Sequence, residues 1–157
     1  MSRRTIETFY AAFRQLDGAA MQACYAPQAA FQDEAFTLQG REEIGAMWRM
    51  LCDVTRAKGL DVWQLDYQVL DEHHAHWDAH YRFSATGRMV LNHIDASFEF
   101  DNTGLILRHR DRFDFWAWSR QALGLPGLIL GWTPMLRAKV QAQAAKNLAA
   151  YRAKHPS

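Results

Sequence analysis

An α+β domain, with helices packed on one face of an antiparallel sheet, is what three features of the sequence predict. Apolar residues recur at helical spacing over the first part of the chain. The period changes from 3.6 to 2 after Lys58-Gly59. The alternating segments that follow are separated by short turn signals, the pattern of a strand meander. A length of 157 residues is one domain's worth of chain.

The elements follow in order. Ile6, Phe9, Tyr10, Phe13 and Leu16 share a helical stripe, so a first helix is expected from about Thr5 to Leu16, broken by Asp17-Gly18. A short second helix carries Met21, Cys24 and Tyr25 and stops at Pro27. Phe31, Asp33 and Ala35 alternate with Gln32 and Glu34, which predicts a short strand. Gly40 precedes a third helix with Glu42 and Glu43 in its first turn and Ile44, Met47, Trp48, Leu51 and Cys52 on its apolar face. Trp63, Leu65, Tyr67 and Val69 then form one side of a strand. Trp77, Ala79, Tyr81 and Phe83 form one side of the next. A long strand from about Met89 to Phe100 turns at Asp101-Asn102-Thr103-Gly104 and returns from Leu105 to about Phe115. By parity, Trp63, Tyr67, Trp77, Tyr81, Phe98 and Phe113 should face the helices.

The last hairpin permits a register. If Phe100 pairs with Leu105, then Phe98 faces Leu107, Ala96 faces His109 and Ile94 faces Asp111. The other face pairs Ser97 with Arg108, Asp95 with Arg110 and His93 with Arg112. A slip of two residues keeps these faces, whereas a slip of one inverts them. His109 and Asp111 therefore fall on the apolar side with Leu105, Leu107 and Phe113. A carboxyl there has to be paired, hydrogen-bonded or in contact with a pocket.

Composition narrows the function. Lys and Arg number 18 against 17 Asp and Glu, a net charge of +1, which leaves no basic excess for nucleic acid. Aromatic residues make up 13% of the chain, enough to build a sizeable core or to wall an apolar pocket. Cys24 and Cys52 are not spaced as a CxxC pair and read as reduced core thiols of a cytoplasmic protein. No apolar stretch follows Arg3-Arg4, so no secretory signal is expected, and no apolar run is long enough to span a bilayer. Dinucleotide, phosphate-loop and serine-hydrolase motifs are absent, so chemistry without a cofactor is expected. His73, His74, His76 and His80 raise the question of metal. Residues i and i+4 on a strand lie about 13 Å apart, so His76 and His80 cannot share an ion and no metal site is expected.

Four stretches in this order resemble the nuclear transport factor 2-like superfamily, which includes ketosteroid isomerase and the SnoaL-like polyketide cyclases. They are Phe9-Tyr10-Ala11-Ala12-Phe13, Cys24 through Asp33, Gly40-Arg41-Glu42-Glu43-Ile44, and Phe98 through Ile106. The resemblance spans about residues 5 to 115. It implies a cone-shaped, curved antiparallel sheet wrapped by three N-terminal helices, here with an extra C-terminal helix. It also implies a pocket for a small hydrophobic ligand and a homodimer through the outer sheet face, here around His93, Asp95, Arg108, Arg110 and Arg112. Tyr10 and Asp33 match the isomerase's helix Tyr and basic Asp. Its second acid has no counterpart, since Ala96 stands there and Asp95 is one residue off. Gly104 through Asp111 resembles the cyclase strand that carries an acid/base Asp and a nearby His, matched by Asp111 and His109.

The resemblance thus implies Asp33, Asp111, His109 and Tyr10 as catalytic candidates and Trp48, Trp63, Trp77 and Phe98 as substrate-lining residues. The expected function is acid/base chemistry of the isomerase, cyclase or lyase kind on a small hydrophobic carbonyl compound. A noncatalytic ligand-binding or dimeric interaction module of the same fold is the alternative. Each site residue also has a structural reading: Asp33 as the start of a loop, His109–Asp111 as a buried structural pair, and Tyr10 as core. The domain is placed at residues 1–118. Residues 119–157 are read as an apolar loop and a helix that begins at Thr133-Pro134 and carries Leu136, Val140, Ala144, Leu148 and Tyr151 on one stripe. This segment could cover the pocket, pack in a dimer or touch a membrane surface. Its thin, Ala-rich stripe favours covering the pocket or packing on the same domain over membrane contact.

Overall fold

A computed structural model describes residues 2–58, 63–83 and 85–156. Gly59, part of the turn at which the period changes, lies outside them. Six helices and six strands follow the order α1 (Ser2–Arg14), α2 (Gly18–Ala23), β1 (Tyr25–Gln32), β2 (Thr37–Gln39), α3 (Arg41–Ala57), β3 (Gln64–Val69), β4 (His74–Arg82), β5 (Met89–Phe100), β6 (Ile106–Arg112), α4 (Phe115–Leu123), α5 (Leu125–Leu130) and α6 (Pro134–Lys154). The strands form one curved, unclosed sheet in the order β2-β1-β6-β5-β4-β3.

The sheet is mixed rather than wholly antiparallel, because β1 runs parallel to β6. A parallel pair needs a long crossover, and here everything from β2 to β5 serves as one. Local sequence cannot announce such a pairing. The region around Pro27 also departs from expectation. α2 ends at Ala23, with Cys24 as its C-cap, and Tyr25 starts β1. Pro27 lies inside β1, exposed, where the β1–β6 register shifts between Tyr25 and Ala30. A proline is tolerated in a strand at such an irregularity because no ladder hydrogen bond is asked of it. Asp33 and Ala35 do not extend the strand; β1 stops at Gln32 and the chain turns.

The β5–β6 register is two residues away from the one predicted, with Asp95 opposite Arg112, Ala96 opposite Asp111 and Phe98 opposite His109. The slip of two preserves both faces. An irregularity between Glu99 and Phe100 breaks the parity nearer the turn, so Ile106 is buried where Leu107 was expected to be. Helices α1 and α3 cover the inner face. Phe9, Tyr10, Phe13, Trp48, Trp77 and Phe98 lie in one core, with Trp63, Tyr67, Tyr81 and Phe113 partly buried against it.

The segment read as an apolar loop is helical. α4 runs through the 118/119 position at which the sequence reading divides the chain. Asp114 caps it, its side chain accepting from the Ala117 N–H at 3.0 Å. Phe115, Trp118 and Ala122 of α4 pack with Val90 of β5, and Tyr81, Phe83 and Phe113 border them. Thr133 caps α6 with Pro134 in its first turn, as read from the sequence. α6 lies on α3, where Tyr151 donates to Asp53 at 2.6 Å and Arg152 meets Glu43 at 3.4 Å. The apolar side chains of α5 do not pack inward. Leu125, Leu128, Ile129 and nearby Trp132 remain exposed.

Candidate functional site

The register of three neighbouring strands puts one histidine at the centre of the inner face. His109 of β6 lies directly beside Phe31 of β1 and Phe98 of β5. Phe98 stacks on its ring at 4.2 Å between centroids, and Phe31 meets it edge-on at 5.0 Å. Within this apolar box the imidazole is fully paired. The Trp48 indole N–H donates to the Tyr25 hydroxyl at 3.0 Å, and Tyr25 lies 2.7 Å from His109 Nδ1. His109 Nε2 lies 2.9 Å from Asp111 Oδ1. The network is consistent with one assignment: Tyr25 donates to Nδ1, and Nε2–H donates to Asp111. Burial holds the Tyr25 hydroxyl well above the usual phenol range, so it stays a donor at neutral pH.

Tyr25 is a site residue that sequence reasoning missed. It stands in the stretch that carries the family resemblance, but the sequence reading placed it on a helix. Asp111 projects from β6 directly opposite Ala96.

Asp33 sits at the end of β1 in a closed turn. Its Oδ1 accepts from the Ala35 N–H at 2.7 Å and the Phe36 N–H at 2.6 Å, an Asx turn. Burial pushes its carboxyl up to about 7, and the charge of Asp111 adds to the rise, against the lowering effect of the two backbone donors. The C-terminal helix contributes to this enclosure. Arg137 pairs with Glu34 at 2.6 Å, and Gln141 donates to the Glu34 carbonyl at 3.2 Å. A folded-state pKa above the ordinary aspartate value of 3.8 means the fold prefers the proton. The resulting stabilisation is fully present below the unfolded value and is lost as pH rises through about 7. Asp33→Asn should therefore gain melting temperature relative to the parent between pH 4 and pH 8. Paired melting curves across that range check the sign, and parallel curves would refute the raised pKa.

Tyr10 is fully buried, and its hydroxyl has no hydrogen-bond partner among the described residues; neither has the Trp77 indole N–H. Their rings lie 6.3 Å apart in the same part of the core. Burial raises the Tyr10 hydroxyl well above the phenol range, and the Asp111 charge adds to it. An unpaired buried donor is costly, and this part of the core leaves two of them, Tyr10 and Trp77. The expected lining residues, in contrast, meet one another around a side chain. Phe13 contacts Trp48 at 5.1 Å and Trp63 and Trp77 at 5.3 Å each. A groove of about 380 Å³ between β2 and α6 reaches Ala35 and Phe36, but Asp33, His109 and Asp111 do not line it.

Outside the inner face, His76 and Asp78 of β4 meet His93 and Asp95 of β5 on the outer face. His76 and His80 are too far apart along β4 to share an ion. His76, Asp78 and His93 instead come together across two strands. Among the described residues no helix is long and apolar enough to cross a membrane.

The SnoaL-like domain profile matches residues 6–109. The chain belongs to the SnoaL-like domain family. No curated protein matches it. Among solved structures, this SnoaL-like domain is similar to a candidate polyketide cyclase from Xanthomonas campestris pv. campestris, at 18% identity and a TM-score of 0.57 over 76% of this chain and 95% of that one. It is similar to an LEH-like epoxide hydrolase of M. tuberculosis, at 19% identity and a TM-score of 0.55 over 82% and 95%. It is also similar to a steroid delta-isomerase from Pseudomonas aeruginosa, at 12% identity and a TM-score of 0.56 over 97% and 94%. Likeness at these identities establishes the fold, which hosts several chemistries.

Proposed function

We propose that this SnoaL-like domain is a cofactor-independent acid/base enzyme of the isomerase, cyclase or lyase kind, acting on a small hydrophobic carbonyl compound. The observation that carries the reading is Asp33, a carboxyl raised to about 7 beside a second acid and an aromatic interior. A base with that pKa is half-ionised near neutral pH and strong enough to take a proton next to a carbonyl. In the proposed step, written for an isomerisation of a β,γ-unsaturated carbonyl compound, the Asp33 carboxylate takes a proton from the carbon between the carbonyl and the C=C. The C–H electron pair moves into the conjugated dienolate, and the Tyr10 hydroxyl, with Trp77 as a second donor, hydrogen-bonds its oxygen. The proton returns to the γ-carbon, so no co-reactant is consumed. Both ring nitrogens of His109 are already engaged. His109 therefore acts as a positioning residue that orients Asp111 rather than touching the ligand.

A second reading has its own observation. Phe13 occupies the space between Trp48, Trp63 and Trp77, which suits a noncatalytic module with a filled interior. The two are separated by screening hydrophobic ketones, lactones and steroids by thermal shift, then incubating hits in D2O. Deuterium entering the ligand next to its carbonyl supports the enzyme. Binding without exchange or turnover supports a noncatalytic ligand-binding module, and no binding by any compound supports the interaction module with a filled interior.

The outer sheet face is proposed as a homodimer contact, because Arg108, Arg110 and Arg112 alternate there with the acids and histidines of the neighbouring strands as a polar, self-complementary patch. Light scattering at micromolar concentration should give twice the 18.1 kDa chain mass. A monomer mass would count against it.

A further inference from the structure

We propose that His76, Asp78 and His93 bind a divalent transition-metal ion of the zinc type on the outer sheet face, with Asp95 as the positioning partner of His76. The geometry begins with register. His76 lies across from Asp95, and Asp78 across from His93, so two His/Asp pairs form a square on two adjacent strands. His76 Nε2 is 2.9 Å from Asp78 Oδ1, and His93 Nδ1 is 2.5 Å from the same oxygen. All three ligand atoms lie within 4.8 Å of one another.

Two further observations point to a cation at that spot. His76 Nδ1 lies 2.8 Å from Asp95 Oδ1. If Nδ1–H donates to this carboxylate, Nε2 presents a lone pair toward Asp78. A carboxylate–histidine–metal arrangement uses this orientation, in which the outer carboxylate fixes the tautomer and raises ligand basicity. Without a cation or an added proton between them, the Nε2 lone pair and the Asp78 oxygen repel. Secondly, Asp66 of β3 stands directly across from Asp78. Like charges in that position are destabilising, and among the described residues neither Asp66 nor Asp78 has a Lys or Arg ion pair.

The donor set selects the metal. Two imidazoles and one carboxylate suit zinc, cobalt, nickel or copper, whereas magnesium and calcium prefer all-oxygen sites. Tetrahedral zinc with bonds of about 2.0–2.1 Å separates its ligand atoms by about 3.3 Å, so the two nitrogen–oxygen pairs need to open by under about 1 Å, and the two imidazole nitrogens, within 4.8 Å of each other, have to settle at the same separation. His93 is 65% exposed and free to do so. Three protein ligands leave the fourth position open, to solvent in a single chain and to the facing surface in the proposed dimer.

The site lies on the opposite face of the sheet from Asp33 and His109, so its fate is separate from that of the proposed chemistry. It requires the side chains of one chain only. The test uses the full chain, stripped with chelator and titrated with Co2+ followed by visible absorption, then with Zn2+ in competition and by calorimetry. One ion per chain is expected. His76→Ala and His93→Ala should each lower affinity by at least about 10-fold, and Asp95→Asn by about 10- to 100-fold. His80→Ala, on the same strand face but outside the cluster, should bind as the parent does. Circular dichroism of each metal-free variant confirms folding, and His93→Asn replaces His93→Ala if the latter does not fold. Equal Zn2+ affinity in the parent and in a His76→Ala/His93→Ala double variant overturns the site. Mg2+ binding as tight as Zn2+ overturns the metal class.

Discussion

Asp33→Asn is expected to lower turnover of a carbonyl ligand by about 100- to 10,000-fold, the usual contribution of a general base. Ligand affinity should change little. The amide keeps the shape, and its oxygen can still accept from the Ala35 and Phe36 N–H groups that hold Asp33 in place. What it loses is the capacity to take a proton. The pH profile adds a second readout. With the carboxyl near 7, the parent rate should rise with pH and level off above about 7, as the base form fills. The variant's residual rate should lack that inflection. Asp111→Asn should lower the rate less, because Asp111 reaches the ligand as a neighbouring charge and not as the base. An Asp33→Asn variant that turns over a hit as fast as the parent removes Asp33 from the mechanism.

His109→Ala should produce the largest loss of stability. The substitution opens a cavity between Phe31 and Phe98, and it leaves both the Tyr25 hydroxyl and Asp111 without the partner each now has. Leaving a buried hydrogen-bonding group without its partner costs about 1–3 kcal/mol, and more for a charged one, and the cavity adds about 2 kcal/mol or more to it. At this chain length each kcal/mol lowers the melting temperature by about 2–4 °C, so a fall on the order of 10 °C is expected. Urea denaturation of parent and variant measures it. A loss under about 1 kcal/mol, the value of an ordinary exposed pair, would show that the Trp48–Tyr25–His109–Asp111 chain is not what holds the inner face together.

That chain was half legible in the sequence. His109 and Asp111 are two residues apart on a strand, and the apolar residues around them put both on the inner face. The inference survived an error of two residues in register, since a shift of two changes partners and keeps faces. Tyr25 was not legible. Its place depends on β1 lying parallel to β6, and its partner is 84 positions away. The outer-face square has the same history. His76, Asp78, His93 and Asp95 were all assigned to the outer side by parity, but only the β4–β5 register sets His76 against Asp95 and Asp78 against His93.

Hydrophobic periodicity determined the first and third helices, the four long strands and the inward side of Trp77, Ile94, Phe98, His109 and Asp111. Thr133 and Pro134 marked the start of α6 through their own capping chemistry. These are properties of a few consecutive residues, and the free energies behind them act within one turn or one strand. Tertiary structure alone decided which strands are neighbours and in what register. It also decided that Phe13 fills the space among three tryptophans and that α6 closes over the Asp33 turn. The basicity of Asp33 belongs to this second group. An aspartate in a local Asx turn would titrate at or below its ordinary value, because its two backbone donors favour the charged form. It is burial, supplied by distant parts of the chain, that lifts it to about 7.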